Sequence, residues 1–316
     1  MSQVSEFIPR APVARFGSIV CAAVLIAAPL SATGVAGVVT GPRVAIVAAA
    51  ANTANPQTNT RFTDPRDMLV ADGRFSAVDI INTTPFGGGG TPTLATLQQY
   101  DAVLTWSNDS HANSETLGDV MADYVDGGGA VVVAVFGNTS ANLARQLRGR
   151  WLTGGYEVIP QGGGHIEGPV GSTGGQPSGI VKMATPLEPA HPIFNAVVDV
   201  NLNWVDPPTS APFGAHRPNT TLLAPDARKL ALWEDGKTAV AISNLNPKRV
   251  DLGIHPVSEL VNAGYYDLDS DADRMIANAL FFAATVPEPA SLAGVAGLAV
   301  MALRRRSRHA GPVVKS

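Results

Sequence analysis

The chain has almost no cysteine. Cys21 is its single cysteine among 316 residues, and it lies inside an N-terminal apolar run. If that run is removed as a signal peptide, the mature protein has no thiol. This absence excludes disulfides, thiolate metal sites and cysteine nucleophiles from the mature chain. An exported domain of this kind must depend on the burial of its core for stability.

Charged and aromatic side chains are also scarce. Charged residues make up 15% of the sequence and aromatic residues 6%, and the net charge is −4 at pH 7. Because basic residues are not in excess, the chain lacks the electrostatic pattern of a nucleic-acid-binding protein, and nucleic acid is excluded as a partner. Glycine and proline are plentiful, at 32 and 24 residues, which indicates a loop-rich domain.

The N-terminus has the features of a secretory signal peptide. Arg10 and Arg15 precede an apolar run from Ile19 to Leu30, and small residues follow it up to a cleavage site after Ala36. A basic segment, an apolar segment and small residues occur in this order in signal peptides. We therefore expect residues 1–36 to be a signal peptide. An uncleaved anchor is the alternative, because the apolar character continues past the cleavage site.

The body of the chain alternates short apolar runs with helical patterns. The runs are typical of buried parallel strands and lie near residues 43–48, 77–81, 101–106 and 130–136. The clearest helical pattern places five apolar side chains on one face, at Leu117, Val120, Met121, Tyr124 and Val125. This alternation predicts an α/β fold, a doubly wound and mostly parallel sheet with helices on both faces.

Local signals predict where helices and turns begin and end. Asp64 is predicted to cap the helix after the first strand, since Pro65 suits the first helical position. Asp235-Gly236 lies between two β-rich runs, which predicts a β-hairpin. The last helix is predicted from about Asp271 to Ala284. We therefore expect one α/β domain over residues 43–285.

Several of these segments resemble the class I glutamine amidotransferase-like superfamily, especially its ThuA-like branch. They are the third strand with its helix, the strand that ends at Phe136 with its preceding helix, His191-Pro192-Ile193, the hairpin and the last helix. The resemblance covers residues 43–285 and implies a flavodoxin-like, three-layer fold. In the amidotransferases a cysteine nucleophile occupies a strand-to-helix turn. The matching turn here, Phe136 to Ser140, has no cysteine, so no thioester route from glutamine is expected.

Polar loops are expected at one edge of this sheet. In open α/β sheets, ligands bind beyond the carboxyl ends of the strands. The loops expected there are rich in Asn, Ser and Thr, which suit neutral polyhydroxyl ligands such as sugars. The candidate ligand-binding residues are Asn108, Asp109, His111, Asn138 and Thr139. The alternative is that these side chains cap helices and bind the backbone. No catalytic residue is assigned.

No metal site and no cofactor are predicted. Four histidines of the body are scattered without the spacing of metal ligands, at His165, His191, His216 and His255. Two of them, His191 and His255, precede proline and are expected in turns.

The C-terminal tail resembles a known family of sorting signals. Pro287-Glu288-Pro289 is followed by an apolar run from Ser291 to Leu303 and then by Arg304-Arg305-Arg306. This order resembles the PEP-CTERM signal of exported bacterial proteins, and the resemblance implies recognition by a membrane-embedded exosortase. We expect residues 286–308 to be this signal, with a short transmembrane helix and cytoplasmic arginines. An ordinary helix packed on the domain is the alternative.

These patterns together predict a protein of the cell envelope. It is expected to be exported, then anchored in the membrane by its tail or released outside after processing. Its α/β domain is expected to be a non-catalytic binding or structural module, with extracellular polysaccharide as a candidate partner. The alternative function is an exported hydrolase or carbohydrate-active enzyme that uses the polar loops at the carboxyl edge of the sheet.

Overall fold

The computed structural model of the chain describes residues 40–50, 55–168, 178–205 and 213–287. The predicted signal peptide and the tail beyond Pro287 lie outside these residues, so the predictions made for them are not tested by the fold. No helix within the described ranges has the length and apolar character needed to cross a membrane.

A seven-stranded sheet forms the centre of the fold. In chain order, the elements of the structure are β1 (Arg43–Ala49), α1 (Thr60–Asp72), β2 (Ala77–Asn82), α2 (Leu94–Leu97), β3 (Ala102–Ser107), α3 (Ser114–Asp126), β4 (Ala130–Val133), α4 (Gly149–Thr153), β5 (His165–Ile166), β6 (Gly179–Lys182), β7 (Asn201–Val205), β8 (Phe213–Gly214), β9 (Arg217–Pro218), β10 (Ala227–Leu232), β11 (Thr238–Ser243), β12 (Arg249–Leu252) and α5 (Ala272–Thr285). The central sheet has the strand order β10-β11-β12-β4-β3-β1-β2.

Most strands of this sheet are parallel. β1 pairs in parallel with β2 and β3, β3 with β4, and β4 with β12. Among the described strands of this sheet, only β11 runs antiparallel to its neighbours, which are β10 and β12. The predicted parallel strands and the hairpin at Asp235-Gly236 are therefore confirmed. Gly236 has a φ of 80°, a left-handed conformation that suits glycine in the turn.

Helices cover both faces of the sheet, which gives three layers. Alternate side chains of β1 point to opposite layers, as a strand requires. Val44 and Ile46 pack in the core that contains α1 and α5, whereas Ala45 and Val47 pack with α2, α3 and α4. Burial on both faces explains why the parallel strands appear in the sequence as continuous apolar runs. The predicted doubly wound α/β fold is confirmed.

Some predicted boundaries are wrong. α1 begins at Thr60, one turn before the predicted start, because the side chain of Asn59 accepts a hydrogen bond from the Arg61 backbone N–H. Asp64 therefore lies inside the helix and does not cap it. Its carboxylate instead accepts hydrogen bonds from the backbone N–H and the hydroxyl of Ser258, at 2.7 and 2.9 Å. The strand predicted to reach Phe136 ends at Val133.

Short antiparallel strands of the second half complete the described fold. β6, β7 and β8 form one small sheet. β5 pairs with β9, with His165 opposite Pro218 and Ile166 opposite Arg217. This pairing matters for function, because it joins two loops that are about fifty residues apart in the sequence. It thereby places His165 beside the residues that precede β9.

Candidate functional site

Three histidines from separate parts of the chain meet around Phe136. His165 belongs to β5, His216 directly precedes β9, and His255 follows β12. The ring of Phe136 packs edge-on against His165 and His216, with centroid distances of 4.7 and 5.0 Å. The rings of His165 and His216 are 6.0 Å apart. Since Phe136 follows β4, the cluster lies at the carboxyl edge of the parallel sheet.

The ring of His255 is held by aromatic side chains. It stacks on Tyr265 at 4.7 Å and meets the edge of Trp106 at 5.0 Å. Its centroid lies 6.4 Å from that of His216. Trp106 lies in β3, so the ends of β3, β4 and β12 all contribute to this aromatic environment.

Glu167 adds a carboxylate to the cluster. Its Oε1 atom lies 3.2 Å from His165 Nε2 and 3.5 Å from His216 Nδ1. One donor atom each from His165, Glu167 and His216 lies within 4.8 Å of the other two. Within the described ranges, this is the one group of histidine and acidic side chains that could meet on a metal ion.

Burial favours the neutral form of two imidazoles of this site, His216 and His255. It lowers the pKa of His216 to about 4, although the charge of Glu167 acts in the opposite direction. Burial also holds the pKa of His255 well below its usual value. The hydrogen bond from His165 lowers the pKa of the Glu167 carboxyl, and the nearby imidazoles add to this effect. At neutral pH the rings of His216 and His255 are therefore neutral, and the Glu167 carboxylate is ionised.

Several ring nitrogens of the cluster have no hydrogen-bond partner among the described residues. They are Nδ1 of His165, Nδ1 of His216 and both nitrogens of His255. Buried polar atoms without a partner are uncommon in proteins, because each costs about 1–3 kcal/mol of desolvation. Four such atoms in one cluster indicate a site that is completed by a group outside the described residues.

The residues predicted to bind a ligand occupy the same edge but are largely engaged with the protein. His111 is buried; its Nδ1 lies 2.7 Å from the Thr83 hydroxyl, and burial lowers its pKa to about 4. The Asn138 side chain donates to the carbonyls of Val133 and Leu252, and the Thr139 hydroxyl donates to the Gly164 carbonyl. The hydrogen bonds of Asn138 and Thr139 are those expected from the alternative interpretation, in which these side chains bind the backbone.

Asn108 and Asp109 lie half-exposed in the loop after β3. Their predicted role in ligand binding, like that of the other three predicted residues, stays a prediction.

The histidine cluster is not predicted by the sequence. The spacing of the four histidines is not that of local metal ligands, which is why they are interpreted as scattered. This interpretation is wrong for His165, His216 and His255, which are distant in sequence but close in the fold. The β5–β9 pairing and the end of β12 bring them together. His191 is separate; its ring packs on Phe282 in α5, at 4.7 Å. The one local signal is the position of His255 just beyond an apolar strand.

Comparisons with known proteins give similarity at the level of fold. No family model and no curated protein matches the chain. A solved structure described as a GMP synthase subunit from Thermoplasma acidophilum is 8% identical, with a TM-score of 0.44, over 77% of this chain and 94% of that chain. One described as a ThuA-like protein of Parabacteroides merdae is 13% identical, with a TM-score of 0.47, over 79% of this chain and 92% of that chain.

Proposed function

We propose that the protein is exported to the cell envelope and that its α/β domain acts there as a binding module. The domain is not a glutamine amidotransferase in this proposal. Export and sorting are supported by the order of signals at the two ends of the sequence. The expected partners are the membrane and an exosortase-type processing enzyme, and extracellular polysaccharide is the candidate ligand class outside the cell.

One observation carries the non-catalytic part of the proposal. The turn after β4 is the position that matches the cysteine turn of the amidotransferases, and its polar side chains bind the backbone. Asn138 connects β4 to β12 through two carbonyls, and the Thr139 hydroxyl donates to Gly164. A nucleophilic hydroxyl needs a neighbouring base that takes its proton. Here the proton of Thr139 is directed at a carbonyl oxygen, so the turn supports a structural role.

An ammonia-release assay tests this part. Purified full-length protein is incubated with glutamine, and we expect no ammonia above the rate of the buffer. Thr139→Val retains the β-branched shape of the side chain and removes its hydroxyl. Ammonia release by the natural protein that disappears in Thr139→Val would place a nucleophile at this turn and end the binding proposal.

Cell fractionation tests export and sorting. In a host that has an exosortase system, the full-length protein should be recovered in the envelope or outside, and external protease should digest its domain. Replacing Arg304, Arg305 and Arg306 by glutamate should impair retention, because the arginines set the orientation of the tail. The same positions changed to lysine preserve the charge and are the matched control. Recovery of the natural protein in the cytosol would contradict the proposal.

A second candidate function is an exported hydrolase, and the histidine cluster favours it. Many enzymes of this architecture have their active sites at the carboxyl edge of a parallel sheet. Imidazoles and carboxylates are among the side chains that such sites use. A panel of chromogenic esters and glycosides separates the two functions. Turnover that is lost in Glu167→Gln would favour the hydrolase, and no turnover would favour the binding module.

A further inference from the structure

We propose that His165, Glu167 and His216 form a binding site for a divalent transition-metal ion, with Zn²⁺ as the ion whose preferences they fit. The inference goes beyond the binding role proposed above, because it depends on the geometry of these side chains and not on export or sorting.

The donor distances are close to those of a zinc coordination shell. Zinc lies about 2.0–2.2 Å from histidine nitrogen and carboxylate oxygen, which places tetrahedral donors about 3.3–3.6 Å apart. Glu167 Oε1 is already 3.2 Å from His165 Nε2 and 3.5 Å from His216 Nδ1. One donor atom from each of the three residues lies within 4.8 Å of the other two, so the three side chains are close enough to share one ion.

The nitrogen that His216 would contribute is available. His216 is buried, yet its Nδ1 has no hydrogen-bond partner among the described residues. A bound ion would satisfy this nitrogen and remove the desolvation cost of leaving it unpaired. For His165 Nε2 to bind the ion, the ring proton must lie on Nδ1, and the contact between Nε2 and Glu167 would then be exchanged for two bonds to the metal. The Glu167 carboxylate would then lie beside a positive charge, which suits its ionised form.

The type and number of ligands indicate an open site. Two imidazoles and one carboxylate are the set that binds zinc in some catalytic centres, where a water or a substrate takes the fourth position. They are not the oxygen-only set that calcium and magnesium prefer. A cavity of about 10 Å³ lies between His216, His255 and Tyr265. It has room for about one water molecule, next to a proposed ligand.

The surrounding packing fixes the orientation of the rings. Phe136 contacts both histidine rings edge-on, and Phe213 contacts His216 at 5.1 Å. The β5–β9 pairing sets the separation of the two chain segments that carry the histidines. A site held in this way needs little reorganisation when the ion binds.

The experiment titrates the purified, chelator-stripped full-length protein with Zn²⁺ by calorimetry, and with Co²⁺ as a spectroscopic probe. We expect one ion per chain and visible absorption bands of four- or five-coordinate cobalt. Glu167→Gln and His216→Gln should each weaken binding at least about tenfold, since loss of even an outer-shell partner costs about 10–100-fold. His191→Gln, which changes a histidine packed on Phe282, is the matched control and should bind normally.

Glu167→Gln is the decisive variant, because Glu167 is partly exposed and its replacement is not expected to disturb the fold. Thermal unfolding of the metal-free variants verifies this. Failure of the natural protein to bind Zn²⁺ or Co²⁺ overturns the proposal. So does a Glu167→Gln variant that binds as tightly as the natural protein with an unchanged cobalt spectrum. Either failure leaves the export proposal standing, since that is measured by fractionation.

Discussion

Asp251 is a buried carboxyl in the middle of β12, and it shows how one residue makes stability depend on pH. Its Oδ2 atom accepts a hydrogen bond of 2.8 Å from the Ile159 backbone N–H. Burial nevertheless raises its pKa to about 8, and the nearby Glu157 adds to the rise, although Arg249 acts in the opposite direction. The side chain is therefore protonated in the folded protein at neutral pH.

We predict that Asp251 makes the fold less stable as pH rises from about 4 to about 8. In this window the unfolded chain has lost the proton and the folded chain retains it, so raising the pH favours unfolding. The loss is at most about 1.4 kcal/mol per pH unit from this one group. Denaturant unfolding at several pH values measures it. Asp251→Asn cannot ionise and should flatten the dependence.

The residues of the candidate site show which features could be predicted from the sequence and which could not. Polar side chains at the carboxyl edge were predictable, because strand ends follow from apolar runs. Their long-range hydrogen bonds were not, since Asn138 also binds the carbonyl of Leu252 and Thr139 binds that of Gly164, each more than twenty residues away. The histidine cluster was unpredictable for the same reason. It exists only when β5 pairs with β9, and two-residue strands have almost no periodicity to detect.

At the scale of elements, prediction succeeded where a pattern had one physical cause. β1, β3 and β4 are buried on both faces, so their apolar runs predicted strands correctly. The predicted start of α1 was wrong because two capping patterns lie close together in the sequence. Asp64-Pro65 suits a helix start by local rules, but Asn59 caps the helix and Ser258 binds the Asp64 carboxylate. That tertiary contact is invisible to a local rule.

Gly118 in α3 gives a prediction at this scale. A Cβ atom at this position would lie 1.8 Å from the Arg148 carbonyl oxygen, so α3 approaches the start of α4 too closely for any side chain. Alanine gains about 1 kcal/mol in helix propensity over glycine. Overpacking against backbone costs about 1–3 kcal/mol or more, so Gly118→Ala should be less stable overall.

Denaturant midpoints of the purified variants measure the effect of Gly118→Ala. Gly90→Ala is the control, because a Cβ atom there meets nothing within 4 Å and its stability should change little. A Gly118→Ala protein that is as stable as the natural one would mean that α3 and the Arg148 backbone are not packed as closely as described.

At the scale of the whole molecule, α5 is the last element of the described fold. Its position before the tail determines which C-terminal truncations should leave the domain folded. α5 buries Met275, Ile276 and Leu280 against the sheet. The Val286 N–H closes its last turn with a 2.8 Å hydrogen bond to the Phe282 carbonyl. Pro287 follows and is exposed. Among the described residues, the helix that completes the core is therefore closed by Val286, the first residue of the predicted sorting signal.

We predict that deleting residues 288–316 leaves the thermal unfolding midpoint unchanged within a few degrees and releases the protein from the envelope. The deletion removes the predicted membrane segment and no residue of the described core. Deleting residues 272–316 is the contrasting variant. It also removes α5, whose three large buried side chains are each worth about 2–5 kcal/mol by truncation, so this variant should not fold. Calorimetry of the secreted fractions measures both. A shorter deletion that aggregates, or unfolds far below the natural protein, would place the tail in the core and contradict the sorting signal.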